Sequence, residues 1–280
     1  MEVQANYIRR IEISNLWGRY DIAWDLQPGV NVLSGINGVG KTTILNRSVN
    51  YLEQTTGEVK NGRRDNVRIY FDNPQATFIP FDVIRSYDRP LVQGDFTARM
   101  ADPNVRSELD WQLYLLQRRY LDYQVNIGNK MIELLQSPND EQRALAPTLS
   151  EPKRMFQDMI DDLFSYTRKK IDRRSNEIVF SQDGERLPCY KLSSGEKQML
   201  TILLTVLVRD GAHCVLFMDE PEASLHIEWQ QRLIGMIRHL NSNVQLILTT
   251  HSPAVIMEGW LDAVTEVSDI ATETFHPAEP

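Results

Sequence analysis

The chain has 280 residues, of which 42% are hydrophobic and 24% are charged, and its formal net charge is −8. This composition can bury the core of a large domain, and the acidic balance argues against broad, non-specific coating of nucleic acid. Cys189 and Cys214 lie outside metal-ligand spacings and suit a reducing compartment. No apolar run has the length that spans a bilayer, so we expect a soluble, cytoplasmic protein that does not enter membranes.

The N-terminal part predicts a strand, a glycine-rich loop and a helix. Apolar and polar residues alternate over residues 7–15, and a second strand signal runs through Ile22 and Trp24. The apolar run at residues 29–34 stops at Gly35, and residues 42–52 have helical apolar spacing. This order is that of a β-loop-α unit.

The middle of the chain predicts two strands, at residues 67–71 and 78–84, and then helices. Apolar residues step by four and three from Leu109 to Ile127, which places them on one face of a helix. A second helix with a wide apolar face begins near Ser150, with Pro152 in its first turn. We expect the two helices to pack together as an inserted helical lid.

The last third alternates strands and helices, which predicts an α/β fold with a mixed or parallel central sheet. A hairpin is expected around Asp183-Gly184, strands at residues 214–218 and 244–249, and helices at 195–209 and 225–240. The resulting division is a discontinuous core, a helical insertion and a tail. Their predicted bounds are residues 1–90 with 175–270, residues 91–174, and residues 271–280.

Residues 35–42 match the phosphate-binding pattern G-x-x-x-x-G-K-[ST] in full. Its backbone N–H groups and the following helix N-terminus can surround phosphate oxygens, and Lys41 adds a positive charge at the β- and γ-phosphates. The Thr42 hydroxyl suits Mg²⁺, which prefers hard oxygen ligands. The predicted ATP-binding residues of this segment are Asn37, Gly38, Val39, Gly40, Lys41, Thr42 and Thr43.

A second motif ends the buried strand at residues 214–218 with two carboxylates, Asp219 and Glu220. Ligands bind at the carboxyl ends of strands in open α/β sheets. Asp219 is therefore predicted to hold the metal, directly or through water. Glu220 is predicted to polarise the attacking water as a general base.

Residues 192–198, Leu-Ser-Ser-Gly-Glu-Lys-Gln, resemble the LSGGQ signature of ABC ATPases. With the two preceding motifs in this order, the resemblance implies a P-loop NTPase fold of the ABC ATPase head type. It also implies a head-to-tail homodimer in which Ser193, Ser194 and Gly195 meet the γ-phosphate of ATP held by the second subunit. Without the family, the segment is a helix start capped by serine.

Other segments also resemble ABC motifs. Residues 221–226 resemble the D-loop, and residues 249–253 resemble the switch segment, in which His251 acts on γ-phosphate charge. His226 is by default a structural or surface residue, and a role at the dimer seam is the alternative. Two further assignments stay open. Gln75 and Gln93 are candidates for the Q-loop, although a surface glutamine is the commoner alternative. The candidates for adenine stacking are Trp17, Tyr20 and Trp24, although each type is more often core.

The sequence Asp-Glu-Pro-Glu-Ala-Ser-Leu-His, together with Thr-His-Ser-Pro, resembles the OLD-like and RecF-like branch of ABC ATPases. Proteins of that branch act in DNA repair or in bacterial defence against phage and plasmids. His226 stands where transporter subunits usually have Asp. Neither a long coiled coil nor a Toprim domain is expected here. The resemblance therefore implies that any nuclease or toxin-like effector is a separate chain.

A basic cluster follows the second helix and allows two interpretations: a solvated helix face, or a contact with the DNA backbone. Its residues are Arg168, Lys169, Lys170, Arg173 and Arg174. Our first hypothesis is an ATP-hydrolysing dimer whose closure controls a partner effector in anti-phage defence. The alternatives are a RecF-like DNA-binding repair ATPase and a scaffold that holds ATP without hydrolysing it.

Overall fold

The computed structural model describes residues 2–56, 66–85 and 105–273. In chain order the strands are β1 (Ile8–Leu16), β2 (Tyr20–Asp25), β3 (Val30–Ser34), β4 (Val67–Phe71), β5 (Phe81–Arg85), β6 (Lys169–Ile171), β7 (Val179–Gln182), β8 (Glu185–Pro188), β9 (Cys214–Asp219), β10 (Val244–Thr249), β11 (Val264–Glu266) and β12 (Ala271–Glu273). The α-helices are α1 (Lys41–Thr56), α2 (Glu108–Gln136), α3 (Asp140–Leu145), α4 (Glu151–Leu163), α5 (Ser194–Leu207), α6 (Ile227–Leu240), α7 (Pro253–Ile256) and α8 (Val267–Ile270).

The central sheet is fully parallel, in the order β11-β3-β10-β9-β5. Strands β9 and β10 are buried along their whole lengths because both faces of the sheet are covered. Leu216 and Met218 point into a core shared with the helices of the middle segment and α5 and α6. Val215 and Phe217 point into the opposite core, formed with α1 and an antiparallel sheet. The predicted α/β fold is thus confirmed.

The antiparallel sheet has the order β12-β2-β1-β4 and contains the predicted N-terminal strands. The strand predicted at residues 78–84 begins only at Phe81, after Pro80, which has no N–H to donate to a ladder. The hairpin at Asp183-Gly184 is present as β7 and β8. Both turn residues have positive φ, 51° and 87°, as a tight two-residue hairpin turn needs.

Within the middle segment, residues 108–163 are mostly helical as predicted, and β6 follows them. Gly128 does not interrupt α2, which continues to Gln136. Helix α3 was not predicted. The Ser150 side chain does not cap α4 and instead donates a hydrogen bond to the Pro147 carbonyl. The predicted apolar stripe is the buried face of α2: Leu109, Leu113, Leu116, Tyr120, Tyr123 and Ile127.

Helices α2 and α4 both pack against α5, so the middle segment and the parallel sheet share one hydrophobic core. The lid role and the domain bounds stay predictions. The boundary at residues 90–91 lies outside the described residues. Residues 271–273, which we assigned to a tail, form β12 beside β2. Within the described ranges no helix combines the length and apolarity needed to cross a membrane.

Candidate functional site

The phosphate-binding loop joins the end of β3 to the start of α1, as the sequence predicts. Lys41 opens α1, its side chain folds back over the loop, and its Nζ donates to the carbonyls of Gly35 at 2.8 Å and Ile36 at 3.2 Å. The residue is only 4% exposed. Burial lowers the pKa of Lys41, although the charges of Glu220, Asp219 and Glu222 oppose that shift. A bound polyphosphate would add further negative charge to balance this ammonium group.

The other predicted loop residues lie around this lysine. Asn37, Gly38 and Thr42 are exposed, whereas Val39 and Thr43 are partly buried. This leaves one side of the loop open to a ligand.

One aromatic residue lies directly on the phosphate-binding loop. A Cβ atom added at Gly40 would lie 2.5 Å from the Trp17 ring, and Gly40 has φ +109°, so only glycine fits there. Trp17 is 49% exposed, whereas Trp24 belongs to the core and Tyr20 is partly buried. Of the three aromatic candidates for adenine stacking, Trp17 alone is therefore placed beside the loop.

Two adjacent parallel strands bring the carboxylate motif and the switch segment to the loop. Asp219 ends β9, and its Oδ1 accepts hydrogen bonds from Thr42 Oγ1 at 2.9 Å and Thr249 Oγ1 at 2.7 Å. These contacts connect β9, β10 and α1. Thr249 was not among the predicted site residues, because a threonine at a strand end carries no distinctive sequence signal.

Glu220 and His251 meet beyond the ends of the same strands. His251 Nε2 lies 2.9 Å from Glu220 Oε1. Glu220 has φ +47°, an unfavourable conformation for a residue with a Cβ, and its N–H donates to Thr249. The structure thus brings together the two residues predicted to be catalytic.

The oxygen ligands present suit Mg²⁺. Thr42 supplies a hydroxyl and Asp219 a carboxylate, and these two oxygens lie within 2.9 Å of each other. Mg²⁺ usually takes one or two protein oxygens and completes its shell with phosphate and water. No group of three or more His, Cys, Asp and Glu residues that could hold a metal occurs in the parts of the chain that the structure describes. The assignment of Thr42 and Asp219 as metal ligands stays a prediction.

The signature segment forms the N-terminus of α5. Ser193 caps the helix: its Oγ accepts from Glu196 N at 3.3 Å, and its N–H donates to Glu196 Oε2 at 2.8 Å. Ser193 and Ser194 are both exposed. Gly195 lies against the Ser224 carbonyl, 2.4 Å from where a Cβ would be. The signature therefore packs on the 221–226 turn, and no hydrogen bond in the described part of the chain joins it to residues 35–42.

Two buried ion pairs hold the first turn of α5. Lys169 Nζ donates to both carboxylate oxygens of Glu196 at 2.8 Å, with side chains 12% and 3% exposed. Lys197 pairs with Asp110 at 2.7 Å, with side chains 12% and 4% exposed. Both partners, Lys169 and Asp110, come from the middle segment.

The basic cluster proposed for DNA is therefore not one free cationic surface. Lys169 is mostly buried, with its side chain 12% exposed, in the pair with Glu196. Arg168 pairs with Asp183, and Arg173 pairs with two aspartates. Lys170 and Arg174 are exposed.

The remaining candidates lie apart from these contacts. Gln75 is exposed, and Gln93 lies outside the described residues. His226 is exposed at the start of α6, and its side chain makes no capping hydrogen bond. The Q-loop assignment and the seam role of His226 stay predictions.

The parallel sheet, the loop that Lys41 covers and the signature helix together define a P-loop NTPase fold of the ABC ATPase type. The chain belongs to the family described as "AAA domain, putative AbiEii toxin, Type IV TA system", whose profile matches residues 84–258.

The similar proteins include two bacterial proteins named as probable ATPases of retrons and one bacterial protein named for Septu. The chain is 30% identical over 109 residues to the Retron Ec83 probable ATPase of Escherichia coli, a match covering 35% of this chain and 20% of that protein. It is 26% identical over 160 residues to the Retron Vc95 probable ATPase of Vibrio cholerae serotype O1 biovar El Tor, covering 51% and 30%. The Septu protein PtuA of Bacillus thuringiensis is 25% identical over 298 residues, covering 89% of this chain and 72% of PtuA.

The chain thus spans less than a third of the two retron ATPases. Among solved structures, an SmcHead bound to the C-winged helix domain of ScpA aligns with 96% of this chain and 97% of its own. The TM-score is 0.52 and the identity 13%, a similarity of fold.

Proposed function

We propose that this chain binds ATP with Mg²⁺ and hydrolyses it in a head-to-tail dimer. The observation that carries the proposal is the meeting of Thr42, Asp219, Glu220 and His251 beside the Lys41 loop, at the carboxyl ends of parallel strands. Phosphate binds in this position in P-loop proteins. When bound with ATP, Mg²⁺ neutralises charge on the β- and γ-phosphates, and Thr42 and Asp219 would hold it.

The chemical step follows from the placement of Glu220. Its carboxylate takes a proton from a water molecule as the water oxygen bonds to the γ-phosphorus and the bond to the β-γ bridging oxygen breaks. Lys41 balances negative charge on the phosphates. His251 holds that carboxylate through Nε2, 2.9 Å from Glu220 Oε1, or donates the same N–H to the γ-phosphate when ATP is bound. Trp17 offers the adenine a partly exposed ring beside the loop.

The dimer accounts for the position of the signature serines. Ser193 and Ser194 are exposed on a helix N-terminus whose described hydrogen bonds do not reach the loop of the same chain. A second copy, turned head to tail, can place these serines over the γ-phosphate. Closure around ATP would then complete the site and exclude water, and hydrolysis would release it.

We further propose that the closed dimer controls a separate effector chain in the bacterial cytoplasm, in defence against phage. The family description names a toxin of a type IV toxin–antitoxin system, and the relatives are named for retrons and Septu. This step rests on analogy with relatives. The DNA-binding alternative has less support, because three of the five cluster residues are paired with carboxylates.

The test compares Glu220→Gln and Ser193→Arg with the wild type. Glu220→Gln should keep ATP affinity and lose turnover by about 100-fold or more, the range for a general base. Ser193→Arg should leave ATP bound to the monomer but abolish the ATP-dependent dimer, measured by light scattering. Unchanged turnover in Glu220→Gln would contradict the role of Glu220 as general base. A wild type that binds ATP but shows no turnover would favour the scaffold hypothesis. An ATP-dependent dimer of the Ser193→Arg variant would contradict the head-to-tail site.

A further inference from the structure

The buried carboxylate of Glu222, which is not among the predicted catalytic residues, accepts hydrogen bonds from the switch segment. Glu222, three residues beyond the end of β9, is 8% exposed. Its Oε1 accepts hydrogen bonds from the Thr250 hydroxyl, from His251 N at 3.0 Å and from Ser252 N at 3.3 Å. All three donors belong to one short segment, so one oxygen atom fixes its backbone.

A second contact joins the same two regions. Ser252 Oγ donates to Gln230 Oε1 at 2.6 Å, and Gln230 Nε2 donates to the Leu225 carbonyl at 2.9 Å. The 250–252 segment is therefore connected to the 221–226 turn both through Glu222 and through α6. This turn also carries the Ser224 carbonyl on which the signature Gly195 packs.

The consequence concerns His251. Glu222 holds the backbone N–H of His251, and Glu220, two residues before Glu222, lies 2.9 Å from the ring of the same histidine. Glu222 therefore holds the backbone of His251, and Glu220 contacts its ring. Loss of the backbone contact would let the His251 ring move relative to Glu220, and small displacements in an active site strongly reduce rates.

We propose that Glu222 is a positioning residue that sets the His251 ring against Glu220 and so controls the rate of hydrolysis. This inference rests on the proposed function and deepens it. Glu222 acts through His251, because its described side-chain hydrogen bonds go to residues 250–252 and none of them reaches residues 35–42. Its loss should therefore affect the chemical step more than the binding of ATP.

The kinetic test is a double-mutant cycle with Glu222→Ala, His251→Ala and the double variant. We expect Glu222→Ala to lower kcat by about 10–100-fold while KM for ATP changes by less than about 2-fold. In the His251→Ala background, Glu222→Ala should produce no further loss. Glu222→Gln should recover most of the rate, because an amide oxygen can still accept the three hydrogen bonds. The matched control is Glu228→Ala, which removes an exposed carboxylate on α6.

A second measurement does not depend on turnover. Hydrogen exchange at the amides of His251 and Ser252 should be slow in the wild type and in Glu228→Ala, and about 10-fold faster or more in Glu222→Ala. An unchanged kcat, an effect confined to KM, or losses that multiply in the double variant would each overturn the inference. Unchanged exchange in Glu222→Ala would also overturn it. A wild type without ATPase activity would instead contradict the proposed function. Hydrogen exchange would still test whether Glu222 holds residues 250–252.

Discussion

Replacement of Lys169 by methionine tests how much the ion pair between Lys169 and Glu196 stabilises the fold. The ammonium group donates to both oxygens of Glu196, and Thr167 Oγ1 and Ser193 N donate to the same carboxylate. Burial alone would raise the pKa of Glu196. The hydrogen bonds from Lys169, Ser193 and Thr167 outweigh it and hold that pKa below its usual value of 4.5. The variant removes the main cationic partner and leaves the carboxylate buried.

The expected loss of stability is about 3–5 kcal/mol at pH 7.5, the range for removing one partner of a buried ion pair. The pH dependence has a definite sign. In the wild type the folded-state pKa of Glu196 is depressed, so the pair stabilises the fold above about pH 4.5, and this contribution is lost as pH falls through the folded pKa. Lys169→Met removes the largest of the contacts that lower the pKa of Glu196 and leaves the effect of burial, so that pKa should rise. The penalty should therefore be largest near neutral pH and shrink as protonation neutralises Glu196.

Urea unfolding of both proteins at pH 7.5 and pH 4.5 measures this difference. With a slope of about 3 kcal/mol/M, the midpoint should fall by about 1 M or more at pH 7.5 and by less at pH 4.5. Lys170→Met is the matched control on the same strand, because Lys170 is exposed and should change stability little. Adding Glu196→Gln to Lys169→Met should recover part of the loss. Equal stabilities of the two lysine variants at pH 7.5, or a penalty independent of pH, would refute the reasoning.

Two further predictions concern residues near the signature and in the core. Gly195→Ala should destabilise the fold by about 1–3 kcal/mol, because the added Cβ would meet the Ser224 carbonyl. Gly235→Ala, at a position in α6 with open space around it, should stabilise the fold by up to about 1 kcal/mol. Thermal unfolding distinguishes the two variants, and equal effects would contradict the contact between Gly195 and Ser224. Cys189 and Cys214 are both buried, and burial raises the pKa of Cys214 to about 11, so a thiol reagent at pH 7 should modify neither until the chain unfolds, when it should modify both. Rapid labelling of the native protein would contradict this burial.

Local sequence was sufficient for the elements whose signals depend on neighbouring residues. The helical stripe from Leu109 to Ile127 is buried as its spacing predicts, and the Asp183-Gly184 turn forms its hairpin. The loop at residues 35–42 lies between a strand and a helix, as the pattern requires. Such signals are readable because backbone conformation and amphipathic spacing are set within a few residues.

Long-range contacts changed the interpretation of charged residues. Lys169 is an ordinary member of a basic run by sequence, yet the fold buries it against Glu196, 27 residues away. Glu222 and the 250–252 segment are nearly thirty residues apart and meet because β9 and β10 are adjacent parallel strands. The Trp17 ring likewise contacts Gly40, although the two residues are distant in sequence.

The sequence by itself determined the class of this protein, because the glycine-rich loop, the signature and the Asp-Glu strand end are contiguous motifs whose chemistry depends on residue type and order. Only the tertiary structure decided which charges are paired and which carboxylates reach His251. Which charges pair depends on strand order and burial, because a buried charge is stable only beside an opposite charge that the fold brings within contact distance.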